Sequence, residues 1–467
     1  MKNEERELIK NTTILTFGTL CTKGLMFIMT PFLIRWLTQS DYGTFDIAIN
    51  YVTLLIPVIT FDIGEAVFRF LVNVDDKKCK SIISNALVSE FVALLFGIVT
   101  LVALNFIFPS YRNLMNCFFL VLIAEGAYTF FGMIMRGLKK LPFYSVANIL
   151  YVLSMIVASV ILIKVMGMGL NGIFYSYAIG YAVSAVYMGI VCRINRYFSW
   201  KEFDWNVLKQ MIKYSAPLIP NAIAWWVVNI SDRTIVSLVL GVESNAILAV
   251  THKLPNLCQT LFSRFHLSWQ QSASETINNS DRDRFFNTVF NSLIKRMGSL
   301  ILLLLSVNFL FFEILYTEEY FQGYYITPIL LVAMLAYMVA QFLGGINIAK
   351  MESKKNGITT VIGAMVNIVF HLISIRVLGL YAAVISTFFA YMVILVIRYM
   401  DLRKEINLRL EKSSYLVLVI VFYFFVQNYV GNNLFHYINI LFAIIVCIYM
   451  NKNILLTLLN KIRGRRR

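Results

Sequence analysis

The stretch FDIGEAVFRF (Phe61 to Phe70) sets three ionisable side chains, Asp62, Glu65 and Arg69, into a largely apolar run from Tyr42 to Val72. A charge at mid-bilayer costs roughly 2.5–3.5 kcal/mol on insertion scales, so such side chains normally face protein or water. Read as one helix, the three fall within an arc of about 60°, which turns a single polar stripe towards an interior. Glu65 and Arg69 stand at i, i+4, the spacing of a helical ion pair. Two readings follow: mutual neutralisation with Arg69 snorkelling to a nearby interface, or a site that binds something.

Other buried charges repeat the pattern. Lys23 lies twelve residues into the first apolar run, about 18 Å by helix rise and so near the mid-plane. Asp232 and Arg233 are adjacent, about 100° apart on a helix, so they do not pair with each other and each needs a partner elsewhere. Lys253 and Arg264 are eleven positions apart, three full turns, and share a face. Of the acids, Glu125 lies deeper in its run than Glu90 and is the better candidate for binding a proton or cation. Arg35 and Arg136, near run ends, read as interfacial anchors, and His266 and His371 as packing residues. Five in-run cations, Lys23, Arg69, Arg233, Lys253 and Arg264, call for an anionic ligand group, and phosphate or pyrophosphate fits them.

Enzyme chemistry finds little support. The six cysteines are scattered without a CxxC or clustered histidines, so neither a disulfide framework nor a metal site is expected. There is no Walker A sequence. The DxD of Asp281 and Asp283 sits in the connection SDRDR, a pattern common by chance. No cofactor and no catalytic residue is expected.

The elements that hold these charges follow from composition. The chain has 467 residues, 59% hydrophobic and 14% charged, with mean hydropathy +0.72; soluble domains carry about 25% charged residues. Apolar runs recur at 11–37, 42–72, 81–108, 113–135, 142–166, 169–192, 213–240, 245–273, 285–316, 324–349, 356–375, 378–399, 413–430 and 435–451. Each is long enough to cross about 30 Å of hydrocarbon as a helix, and far too long for a barrel strand. This predicts an all-α polytopic membrane protein of about fourteen spans. The first span reads as a signal anchor rather than a cleaved leader.

Charge sets the orientation. Thirty Lys and Arg fall on the N-terminus, the even-to-odd connections and the C-terminal tail, against three (Arg112, Lys164 and Arg376) on the opposite side. That asymmetry places both termini in the cytoplasm. The formal net charge of +16 is therefore topological, not a nucleic-acid footprint. The closing IRGRRR is expected to touch anionic lipid headgroups.

An internal repeat is visible. VANIL leads into GLNGIF (Gly169 to Phe174), and MVNIV leads into GLYAAV (Gly379 to Val384). Both place an Asn within a helix, then a Gly-led turn, then another helix. Six spans per copy give two lobes in parallel repeat, over 1–200 and 201–405, with two extra helices and the basic tail over 406–467. Two facing six-helix lobes imply a transporter with a central cavity and alternating access.

RWLTQSDYGTFDIA with FDIGEAVFRF, KYSAPLIPNAIAWWVVNISDRTIV (Lys213 to Val236), and NIVFHLISIRVLGLYAAVIST together resemble the polysaccharide flippases of the multidrug/oligosaccharidyl-lipid/polysaccharide exporter superfamily. Pro217, Pro220, Asp232 and Arg233 fall where that pattern expects them. The third stretch departs from it: His371 stands where Asn is common, Arg376 where Pro is common, and Ala382 replaces a Gly. The resemblance implies a carrier in the bacterial plasma (inner) membrane, moving undecaprenyl-pyrophosphate-linked oligosaccharide repeat units from the cytoplasmic to the outer leaflet for O-antigen or capsule assembly. It also implies coupling to a proton or sodium gradient and contact with other polysaccharide-assembly proteins. In-span Arg and Lys would hold the pyrophosphate, and Asp62, Glu65 or Asp232 the coupling ion. A peptidoglycan-precursor flippase and a multidrug extruder of the same superfamily are the alternatives. An extruder of cationic amphiphiles calls for an acidic cavity, against which the five cations count.

Overall fold

A computed structural model describes residues 2–71, 74–403, 405–430 and 433–452; the side chains of 2–17, 221, 224–225, 227–229, 264 and 433–434 lie outside that description. The basic tail IRGRRR lies outside it as well. Every regular element among the described residues is helical. Among the described residues, ten helices are long and apolar enough to cross a membrane. The chain is a multi-pass membrane protein.

It divides into two compact units, Met1–Ile230 and Ser231–Arg467. In the first, α1 (Lys2–Trp36) is followed by α2 (Gln39–Ile59), which Thr38 caps by accepting the Asp41 N–H at 3.1 Å. The short α3 (Ile63–Phe70) continues the same apolar run. It buries Ile63, Ala66 and Val67 completely against α4 (Asp76–Ile107) and α5 (Arg112–Gly137). Exposed Phe91, Phe96, Val99 and Phe106 along α4 suit hydrocarbon rather than water. Pro142 sits in the first turn of α6 (Leu141–Ser159), where a missing N–H costs nothing. α6 lies against α7 (Gly169–Cys192) so closely at Gly180 that an added Cβ would come within 2.8 Å of the Tyr151 carbonyl. The unit closes with α8 (Ile194–Tyr197), α9 (Trp205–Ser215) and the start of α10 (Ile219–Leu240).

The second unit continues with α11 (Val242–Thr251), α12 (Lys253–Thr276), α13 (Arg282–Leu315), α14 (Gln322–Ala349), α15 (Ser353–Leu378) and α16 (Leu380–Leu402). Here α14 and α15 pack on α16 as α5 and α6 pack on α7 in the first unit. The two Gly-led turns of the sequence repeat also correspond: Gly169 has φ +51 and Gly379 φ +55, a region that favours glycine.

α17 (Lys412–Val430) is tied to α13 by asparagines, and α18 (Asn433–Met450) by the Cys447 thiol, which donates to the Ser299 carbonyl at 3.1 Å. Asn287 and Asn291 bracket the extended segment before α17. Asn287 Nδ2 donates to the Asn407 carbonyl at 2.7 Å and Asn291 Nδ2 to the Arg409 carbonyl at 2.9 Å, while the Glu411 N–H donates to Asn291 Oδ1 at 2.8 Å. Deeper in, Asn308 Nδ2 donates to Asn428 Oδ1 at 3.0 Å. Amide pairs of this kind hold apolar helices together where hydrophobic attraction gives no preference between protein and lipid.

Candidate functional site

A buried polar cluster lies in the second unit, where α10, α15 and α16 meet. On α15, Asn367 and His371 are four residues apart and so share a face. Across from them, α10 brings Asp232 and α16 brings Thr387. Asp232 is 9% exposed and His371 fully buried. His371 Nδ1 lies 3.0 Å from Asp232 Oδ1. The Thr387 hydroxyl donates to Asp232 Oδ2 at 3.0 Å and accepts from Asn367 Nδ2 at 3.2 Å. Tyr391 lies beside the same carboxylate. His371 Nε2 is buried with no partner among the described residues. A neutral ring that donates through Nδ1 keeps a lone pair at Nε2, which is a free acceptor for a ligand. The sequence pointed to Asp232 as an ion ligand but treated His371 as packing. The structure joins them across 139 positions.

A second buried acid stands in the first unit. Glu125 on α5 is 8% exposed, and its Oε2 has no hydrogen-bond partner among the described residues. Tyr128, Tyr151, Tyr177 and Tyr181 crowd around it. Glu90 on α4 lines a separate apolar cavity of about 280 Å³ with Thr60, Phe91 and Phe130.

Two expectations are corrected by backbone geometry. The run 42–72 is not one helix. Phe61 and Asp62 both take left-handed conformations, with φ 52 and 50, between α2 and α3. The Asp62 N–H reaches back to the Pro57 carbonyl at 2.9 Å, a turn wider than the α-helical one. The freed Phe61 carbonyl is satisfied by the Ser215 hydroxyl at 2.6 Å, which is how a broken helix survives at membrane depth. Asp62 therefore points where the left-handed turn sends it, and the three-charge arc does not exist. Only Glu65 and Arg69 keep their register, on the face of α3 opposite its buried residues. No ion pair joins these two among the described residues; Glu65 is half-buried and Arg69 exposed. The run 245–273 is likewise divided into two helices at His252; Lys253 stands at the first position of α12, and Arg264 belongs to the same helix.

The remaining cations are dispersed. Lys23 is exposed on α1, Arg233 half-buried on α10 and Lys253 half-buried on α12. The Arg264 side chain lies outside the described residues. One cation was missed. Arg398, counted with a connecting loop, is 2% exposed inside α16. It donates to the Ala340 carbonyl at 2.8 Å, Thr359 Oγ1 at 3.0 Å, Thr360 Oγ1 at 3.2 Å and the Asn356 carbonyl at 3.3 Å. Its nearness to a run end made it look interfacial, and no sequence signal shows the acceptors on α14 and α15.

Residues 8–269, more than half of the chain, match the family model described as polysaccharide biosynthesis protein. The chain belongs to that family. No curated protein matches this member. Solved structures do. A lipid II flippase, MurJ, in an inward closed conformation aligns with TM-score 0.66 at 14% identity, over 96% of this chain and 100% of that one. An inward-facing multidrug resistance MATE transporter of the MOP superfamily aligns with TM-score 0.63 at 15% identity, over 84% and 94%. A MOP superfamily transporter from Pyrococcus furiosus, whose binding pocket is described as reversed in polarity, aligns with TM-score 0.54 at 14% identity, over 85% and 95%. At such identities the likeness establishes the fold. The chain shares the fold of these three transporters.

Proposed function

We propose that this protein flips undecaprenyl-pyrophosphate-linked oligosaccharide repeat units from the cytoplasmic to the outer leaflet of the bacterial plasma membrane, for O-antigen or capsule assembly. It works by alternating access, with fourteen spans and both termini cytoplasmic, and an ion gradient drives it. The observation that carries this reading is the family match over residues 8–269. The cations Lys23, Arg69, Arg233, Lys253 and Arg264 supply ligands for the pyrophosphate, since guanidinium and ammonium groups are its usual partners. Asp62, Glu65, Glu125 and Asp232 supply acids for the coupling ion. The buried Asp232–His371–Thr387 cluster supports that role most directly, because it joins two protonatable groups.

The full-length alignment with a lipid II flippase favours one second reading, a carrier of a peptidoglycan precursor. One experiment separates them. The purified protein in liposomes is offered a fluorescent undecaprenyl-pyrophosphate oligosaccharide or lipid II, and accessibility of the label to an external quencher is followed. Faster flipping of the first substrate, stimulated by an imposed ion gradient, is the expected result. Flipping of lipid II alone overturns the repeat-unit reading, and no flipping of either overturns both.

A further inference from the structure

Glu125 is enclosed by side chains quite unlike those around Asp232. The rings of Tyr151 and Tyr181 stack face to face, 4.4 Å apart and 7° from parallel. Tyr128 packs against them at 5.5 and 5.2 Å, and Tyr177 stands edge-on to both at 6.5 and 6.4 Å. Phe45 of α2 closes on Tyr177 at 4.6 Å. The Tyr128 hydroxyl donates to Asn148 Oδ1 at 2.6 Å, so these two satisfy each other. The Tyr181 hydroxyl lies beside the carboxyl, yet Oε2 has no partner among the described residues. No Lys, Arg or His forms an ion pair with Glu125 among those residues.

We propose that Glu125 in this tyrosine cage is a proton-binding site, holding one proton as a neutral carboxylic acid and exchanging it with water. Its use in driving transport rests on the flippase reading above; its existence does not. Uptake adds a proton from water to the carboxylate, and release returns it to water, so no other reactant is needed. Three observations favour a proton over a metal ion. A buried carboxylate with one oxygen unpartnered and no basic side chain in an ion pair with it is costly, and neutralisation removes that cost. A hard cation needs a shell of oxygens, whereas the Tyr128 hydroxyl and Asn148 carbonyl are already engaged with each other. No group of three or more His, Cys, Asp or Glu side chains able to hold a metal occurs among the described residues.

The titratable groups facing the cage are few. Besides the four tyrosines there are Tyr144 on α6 next to Tyr128, Tyr42 and Asp46 on α2 next to Tyr177, and Glu90 on α4 across the neighbouring cavity. Glu65 and Arg69 belong to α3; its Gly64, and Leu71 just after it, pack on Met133 and Gly137 of α5, about 12 and 18 Å further along the helix by rise. Phenols stay neutral across the working range of pH, which leaves the acids Asp46 and Glu90 as the charges able to perturb the site.

Infrared difference spectroscopy on the full-length protein in liposomes tests this. At neutral pH the wild type is expected to show a protonated-carboxyl carbonyl band that Glu125→Gln removes. Glu125→Asp is expected to displace the band, and serves in its place should the Gln variant fail to insert. An ionised-carboxylate band at that pH, or a band that appears and vanishes with sodium at constant pH, overturns the proposal. Flux measured alongside separates the two claims. A protonated band with no flux of any lipid-linked substrate upholds the site and sinks the transport reading; flux without the band does the reverse.

Discussion

Asp232 Oδ1 and His371 Nδ1 lie 3.0 Å apart, with Thr387 on the other carboxylate oxygen. The two residues come from α10 and α15, and both are at least nine-tenths buried. A buried carboxylate and imidazole in direct contact depend on each other for a hydrogen bond, so removing either leaves the other short of a partner.

The first prediction tests that contact. Asp232→Leu and His371→Phe each remove one partner and leave a buried polar group unmatched, which costs about 1–3 kcal/mol. The double variant is expected to lose less than the sum of the two, with a coupling of about 0.5–3 kcal/mol. Thermal unfolding in detergent measures all four proteins, and strict additivity would show that the contact carries no energy.

Arg398 offers a test of the second unit's interior. Its guanidinium donates to four acceptors on α14 and α15. A lysine ammonium cannot span that fork. Arg398→Lys is expected to lower stability by about 2 kcal/mol or more, read as a lower unfolding midpoint. An unchanged midpoint would mean that those bonds contribute nothing net.

Two glycines give opposite expectations. Gly379 holds φ +55 at the α15–α16 turn, and alanine there is strained by about 1–3 kcal/mol. Gly357 lies in α15 with open space around its α-carbon, so Gly357→Ala is expected to stabilise by roughly 0.5–1 kcal/mol. Melting both variants beside the wild type checks the sign of each.

Lys23→Ala and Arg69→Ala are expected to abolish surface polysaccharide while the protein still inserts, if both cations hold the pyrophosphate as proposed. Complementation of a strain lacking the native gene, with a blot for membrane insertion, reads both effects. Normal polymer from both variants would remove them from the substrate site.

At the α14–α15 turn, Lys350 bonds Glu352 at 3.0 Å and Glu405 at 2.8 Å, and Lys355 bonds Glu352 at 3.0 Å. Hydrogen bonds from Lys350 and then Lys355 hold the Glu352 carboxyl below its ordinary range. A carboxyl depressed in the folded state adds stability above its unfolded value of about 4.3, and loses it as pH falls through the folded value. Glu352→Gln is therefore expected to lower the melting midpoint at neutral pH, by an amount that shrinks as the pH falls below 4.3 (the same unfolded value). A difference independent of pH would assign the loss to packing instead.

Much of this protein is legible along the chain. Apolar runs long enough to cross hydrocarbon predict helices, and helices occupy those runs. The glycines opening GLNGIF and GLYAAV predict matching turns, and both have positive φ. The deep placement of Glu125 and Asp232 marks them as candidates before any neighbour is known. These features are local, fixed by composition, hydropathic period and the conformational freedom of single residues.

What spacing did not reveal depends on neighbours. Treating 42–72 as one helix put Asp62 in register with Glu65 and Arg69; a left-handed turn after Pro57, satisfied by Ser215 from α9, takes it out. Arg398 looked like a loop cation because distance along the chain carries no information about acceptors on two other helices. His371 looked like packing because nothing near it in sequence is an acid. The sequence by itself determined that charges lie among apolar helices and which chemistry each offers. Only the tertiary structure decided which of them meet, since helix packing brings Asp232 to His371 across 139 positions, while hydropathic period reports only which face of a single helix a residue occupies.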